Sequence, residues 1–158
     1  MTQSVLVVCA GNICRSPIGE AAVKAAAIRA GLELVVDSAG VAADVGWPPE
    51  RHAIEAAAEA GLEVGGRARQ VTPSDLERFD VVVAMDSWVA ERLRHLAPGL
   101  EGDRVQMFRS FDPAADSIEV PDPYGAPIET YRRVVEMILP AAAGLVEQLS
   151  QTATSGSR

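Results

Sequence analysis

Histidine and cysteine are scarce in this chain, positive charge is outweighed, and long apolar runs are missing. Its 158 residues hold two histidines and two cysteines. His52 and His95 stand far apart, while Cys9 and Cys14 fall in one short stretch, so no metal-ligand set is formed. Both histidines read as surface or internally satisfied groups. A lone close cysteine pair argues against a disulfide framework and for thiols kept reduced in a cytoplasm. Asp and Glu outnumber Lys and Arg by 22 to 14, a net charge of −8. That balance disfavours a nucleic-acid partner. No run is long and apolar enough to span a membrane. Met1-Thr2-Gln3 leads straight into a predicted strand, with no secretory leader visible.

What is present centres on Ser4 to Pro17, Ser-Val-Leu-Val-Val-Cys-Ala-Gly-Asn-Ile-Cys-Arg-Ser-Pro. Leu6, Val7 and Val8 belong to an apolar run typical of a buried parallel strand. Gly11 and Asn12 accept unusual backbone angles. Ser16 before Pro17 predicts a capped helix start. A loop wrapped before a helix N-terminus aims several N–H groups at one point, where the helix dipole favours an anion. Arg15 can close that ring and grip two oxygens at once. The same field favours the thiolate of Cys9, the nucleophilic form. The predicted product is a nucleophile beneath a cradle for phosphate-like anions.

The segment Val8-Cys9-Ala10-Gly11-Asn12-Ile13-Cys14-Arg15-Ser16-Pro17 resembles the phosphate-binding loop of the low-molecular-weight protein tyrosine phosphatases. A second block, Asp122-Pro123-Tyr124-Gly125, stands where that family carries one, and the likeness extends from Val5 to about Leu149. The resemblance implies a metal-free, cofactor-free phosphatase that acts on phosphotyrosine-containing proteins as a monomer or weak dimer. Cys9 would be the nucleophile and Arg15 the transition-state anchor. Ala10, Gly11, Asn12, Ile13, Cys14 and Arg15 would bind phosphate, with Asn12, Ser16 and Ser38 holding the loop's shape. Cys14 would form a reversible disulfide with Cys9 under oxidation. Many members carry a bracing histidine where this chain has Gly66, and an aromatic wall residue near the position of Ala43.

The rest of the chain reads as one domain, residues 1–149, with a loose tail from 150 to 158. Pro17 to Ala30 is expected to be a helix ended by Gly31. Leu34 to Val36 is expected as a strand leading into Asp37-Ser38-Ala39-Gly40. Trp47 either forms a wall of the substrate cleft or covers the core. Glu50 to Ala60 predicts a helix, and Thr72-Pro73-Ser74-Asp75 the capped start of another. Val81 to Met85 predicts a strand, with Asp86-Ser87 capping a helix that runs through Leu96. Val105 to Phe108 predicts a fourth strand. Alternating strands and helices predict an α/β fold, a three-layer, doubly wound, four-stranded parallel sheet. The family has strand order 2-1-3-4, a flavodoxin-like topology, and ligands bind at the carboxyl ends of such strands.

Ser110 to Pro127 is a long Asp- and Pro-rich connection of the functional kind. Pro121 and Pro123 stiffen the chain around Asp122. Alone, Asp122 would read as a turn residue capping its own backbone. With the loop at the other end of the chain it reads as a general acid, and Tyr124 as an aromatic wall. A last helix is expected from Pro127 to Leu149, kinked or divided at Pro140. Ile13 is similar to the tyrosine-specific branch, whereas phosphoarginine phosphatases of this scaffold tend to carry threonine there. Arsenate reductases of this scaffold that relay oxidation internally need later cysteines, and none follows Cys14, so arsenate reduction stays open only through an external thiol. A binding module without catalysis remains the reading from another class.

Overall fold

The computed structural model describes residues 2–99 and 104–155. Four parallel strands, β1 (Gln3–Cys9), β2 (Leu34–Gly40), β3 (Val81–Ala84) and β4 (Val105–Met107), form one sheet in the order β2-β1-β3-β4. Five helices connect them: α1 (Arg15–Ala30), α2 (Arg51–Glu59), α3 (Pro73–Arg78), α4 (Ser87–Leu96) and α5 (Ile128–Ser155). A 3-10 turn, Phe108–Phe111, follows β4. The predicted fold class and strand order are those observed.

Side chains alternate across a strand, so each face of β1 serves a different layer. Val5, Val7 and Cys9 pack with residues of α1, α2 and α5, whereas Leu6 and Val8 pack with Leu76, Phe79 and Leu93 of the opposite layer. All four of Val5 to Val8 are fully buried, which explains why β1 reads as an unbroken apolar run. β1 lies between β2 and β3, so the loop after it opens at the carboxyl end of the sheet where the strand order reverses. Among the described residues, no helix is long and apolar enough to cross a membrane.

Several boundaries differ from expectation. β2 continues through Gly40, since Asp37 to Gly40 stay in register with Leu6 to Cys9 of β1. α1 starts at Arg15, which places Pro17 in its third position and Ser16 inside the first turn. Ser16 therefore does not cap the helix: the flanking residue is Cys14, and no side chain caps this end. Pro140 lies within one continuous helix and does not divide it. α5 also runs on through Ser155, so 150–155 are helical where a loose tail was expected, while 156–158 lie outside the described residues.

Candidate active site

The loop between β1 and α1 is held from outside by its carbonyls. Val41 N–H donates to the carbonyl of Cys9 (3.0 Å), Ala42 N–H to Ala10 (2.9 Å), Asp44 N–H to Gly11 (3.1 Å) and Glu50 N–H to Ile13 (2.8 Å). Ile18 N–H donates to the carbonyl of Cys14 along α1 (3.4 Å). In a trans peptide the C=O and the next N–H point opposite ways. The outward carbonyls therefore turn the N–H groups of Ala10, Gly11, Asn12, Cys14 and Arg15 inward, toward one centre. These residues, without Asn12, line a cavity of about 250 Å³ together with Cys9, Ile13, Ala42, Asp44, Asp122 and Tyr124. Gly40 allows the loop this close to β2, since a Cβ there would overlap the carbonyl oxygen of Ala10.

Asn12 holds the loop's shape from behind. Its φ of 61° is the left-handed conformation, uncommon for any residue but glycine. The side chain is buried and fully used. Oδ1 accepts from Arg69 N–H (2.9 Å), and Nδ2 donates to Ser16 Oγ (2.8 Å) and Ser38 Oγ (3.0 Å). Ser38 Oγ–H donates to Glu20 Oε1 (2.7 Å), and Lys24 pairs with the other oxygen of Glu20 (2.7 Å). Ser16 Oγ, already an acceptor from Asn12, lies 2.9 Å from Cys9 Sγ and 3.5 Å from the Ala39 carbonyl. Either the hydroxyl or the sulfur can donate across the shorter of these contacts. The structure thus brings Asn12, Ser16 and Ser38 together behind the loop. Nothing occupies the space where a Cβ of Gly66 would point, and its φ is +81°. The bracing network closes instead through Glu20 and Lys24, neither of which was singled out in the sequence.

Arg15 is 2% exposed and reaches across to the next strand end. Nη1 donates to Asp86 Oδ2 (2.6 Å) and to the Val120 carbonyl (2.9 Å). Nε has no protein partner, and Nη2 faces Asp122 Oδ2 at 3.7 Å. The Nε–Nη2 edge is the fork that can take two oxygens of a tetrahedral anion. Burial opposes the guanidinium's charge, but the hydrogen bond to Asp86 and the charges of Cys9 and Asp122 outweigh it, raising its pKa further. Asp86 was read only as a helix cap. It is one, accepting from Val89 N–H through Oδ1 (2.8 Å), while Oδ2 holds Arg15. Its place at the end of β3, next to β1, was the available signal.

Asp122 hangs over the mouth of the cavity, with 52% of its side chain exposed. Oδ1 accepts from the N–H of Tyr124 (3.1 Å), so the turn-capping reading also holds, and Oδ2 is left facing Arg15. Tyr124 lines the cavity with its face largely open. Trp47 does not: it is 53% exposed, away from the cavity lining and outside the core. Its backbone serves the loop instead, donating to the Asp44 carbonyl (3.0 Å) and accepting from Ala68 N–H (2.9 Å). Ala42 and Asp44 form that wall of the cavity, and Ala43 donates its N–H to Gln70 (2.9 Å). Cys14 is buried at the loop's base, 3.5 Å from the hydroxyl of Tyr131 on α5. Burial, with the charges of Cys9, Asp122 and Glu50, pushes its thiol up to about 12 against the weaker pull of Tyr131. Tyr131 is raised in turn by its own burial and by Cys14.

A thiol sulfur, a ring of inward amides, a forked cation and a carboxyl group at the mouth are the parts that phosphoryl transfer requires. The family model described as low molecular weight phosphotyrosine protein phosphatase matches residues 4–155. The chain belongs to that family. It is 38% identical over 157 residues to the low molecular weight protein-tyrosine-phosphatase of Streptomyces coelicolor, covering 92% of this chain and 93% of that one. Its fold matches the protein tyrosine phosphatase of Entamoeba histolytica with a TM-score of 0.92 at 28% identity, covering 96% and 99% of the two chains. It also matches the YwlE arginine phosphatase bearing a phosphorylated active-site serine, with a TM-score of 0.84 at 28% identity, covering 94% and 96%. Ala42 and Asp44 stand at the wall where an aromatic side chain was expected.

Proposed function

We propose that this chain hydrolyses phosphotyrosine in proteins through a phosphocysteine intermediate. The observation that carries the reading is Cys9 Sγ set under the inward amides of its loop, with the Nε–Nη2 edge of Arg15 beside it. The phosphate enters the cavity and its oxygens take the loop amides and that edge. Cys9 Sγ attacks phosphorus in line, and the bond to the tyrosyl oxygen breaks. Asp122, protonated, gives its proton to the leaving oxygen. As a carboxylate it then takes a proton from water, which attacks phosphorus and frees phosphate and the Cys9 thiolate. Arg15 and the amides supply the positive field that the reaction requires. Ile13, 3% exposed and part of the lining, makes the pocket narrow and apolar at one wall, which suits an aryl ester. A cytoplasmic setting, where both thiols stay reduced, belongs to the same proposal.

Phosphate release from a phosphotyrosyl and a phosphoarginyl peptide, side by side under reducing conditions, tests it. Faster release from phosphotyrosine is expected. Cys9→Ser should lose turnover and keep phosphate binding. Near-normal turnover in that variant would sink the mechanism. Phosphoarginine hydrolysis is the second reading, favoured by the likeness to YwlE and by the Asp44 carboxylate at the wall; preference for that peptide would keep the chemistry and change the substrate.

A further inference from the structure

We infer that Asp44 is a specificity-determining residue, selecting substrates that carry a positive charge next to the phosphoryl group. The inference rests on the phosphatase reading and deepens it. Asp44 lies in the cavity wall, and its Oδ2 is so near Gly11 that a Cβ there would approach it to 2.8 Å. The same Cβ would meet Ile13 Cγ1 at 3.6 Å, so the carboxylate and the Ile13 side chain flank one point of the loop. Its backbone is pinned at both ends, by the N–H bond to Gly11 and the carbonyl bond from Trp47. The carboxylate itself has no hydrogen bond or ion pair among the described residues. Arg67 donates to the Gly46 carbonyl of this loop (3.0 Å) and lines a different cavity.

An unpaired, exposed carboxylate beside a phosphate cradle repels the phosphate. The loop amides and the free edge of Arg15 offset that repulsion only in part. Among the described residues Arg15 is the sole cation lining the cavity, and its Nη1 is held by Asp86, while Asp122 adds a second carboxylate at the mouth. A substrate cation between Asp44 and the phosphate turns the repulsion into two attractions. Two sources supply that chemistry: a Lys or Arg side chain flanking the phosphotyrosine, or the guanidinium that carries the phosphoryl group in phosphoarginine. An acidic sequence around the phosphorylated residue is disfavoured in both cases.

Binding decides this without requiring turnover. Three peptides are titrated against the Cys9→Ser protein and against Cys9→Ser carrying Asp44→Asn: phosphotyrosyl with flanking lysines, phosphotyrosyl with flanking glutamates, and phosphoarginyl. For exposed charges the lysine peptide should bind about fivefold more tightly than the glutamate peptide, less at high salt, and Asp44→Asn should cut the ratio below about twofold. A loss of phosphoarginyl binding on Asp44→Asn, with little change in that ratio, assigns the cation to the substrate's own guanidinium. An unchanged ratio together with unchanged phosphoarginyl binding overturns the inference, as does failure to bind any of the three. Turnover of an aryl phosphate by the unsubstituted protein is read in parallel: its absence counts against the phosphatase reading alone, because the binding order still reports on Asp44.

Discussion

At the scale of single residues, Asp86 serves two elements at once, capping α4 with one oxygen and anchoring Arg15 with the other. Asn caps a helix as well as Asp does, so Asp86→Asn separates the two duties. A hydrogen bond between charged groups contributes about 1.5–3 kcal/mol, so kcat/KM should fall roughly ten- to a hundredfold, and the melting temperature should drop as well because buried Arg15 loses its counter-charge while α4 keeps its cap. Equal activity in Asp86→Asn would show that the Val120 carbonyl alone positions Arg15. Cys14 gives a pH prediction. If peroxide converts the Cys9 thiolate to a sulfenic acid, Cys14 must attack it as a thiolate to form the disulfide and release hydroxide. With its pKa at about 12, the thiol predominates throughout the neutral range. The rate of disulfide formation should therefore rise about tenfold per pH unit from neutral upward. Thiol trapping over a peroxide time course measures it, and a flat profile would exclude Cys14 as the attacking group. The sequence disclosed Cys9, Arg15 and Asp122 through local pattern alone. Asp86 was legible only as a cap, because its second partner is Arg15, far away along the chain. Trp47 was ambiguous for the converse reason: residue type says a tryptophan is usually covered, and nothing local says that this one is not.

At the scale of elements, β1, its loop and α1 were read nearly as they stand. Their signals are short-range: an apolar run, backbone-permissive residues, then a proline that tolerates the first helical turn. The misreading of Ser16 has a physical cause. A serine before a proline normally caps, but here its hydroxyl is drawn between Asn12 and Cys9, and the helix starts two residues earlier. α3 kept its expected cap, and the structure adds what the cap is tied to. Asp75 takes hydrogen bonds from Thr72 N–H, Arg69 and Arg78, and Arg69 also reaches Asp37 of β2 while its N–H holds Asn12. This side chain is 1% exposed. Burial alone would raise its pKa; Arg69, the Thr72 amide and Arg78 overcome that and lower it from 3.8 to about 2. A depressed folded pKa means stability that is present above about pH 4 and lost as pH falls toward 2. Asp75→Asn should remove roughly 2 kcal/mol of that acid-sensitive stability. Thermal melts between pH 6 and pH 2 check it: the variant's melting temperature should fall less steeply than the parent's, and parallel curves would refute the assignment.

At the scale of the whole molecule, the sheet order and the position of the site follow from one alternation of strands and helices, which the sequence displays openly. The end of the chain was less legible. Proline usually breaks a helix, yet Pro140 is on the exposed side of α5, and the helix is clamped by packing against α1, α2 and the 3-10 turn. Gly144 marks the closest approach, since a Cβ there would run into the Phe111 carbonyl. Such tertiary support overrides local propensity and cannot be seen in a window of sequence. The central claim, that this assembly delivers a phosphoryl group to Cys9, is tested most directly by rapid acid quench of turnover with an aryl phosphate, followed by mass spectrometry of the intact chain and its peptides. A single phosphoryl group on Cys9 is predicted, accumulating further in Asp122→Ala with a nitrophenyl phosphate, whose leaving group departs without the acid, because the water in the second step has lost its base. Steady release of phosphate with no adduct on Cys9 in either protein would contradict the account.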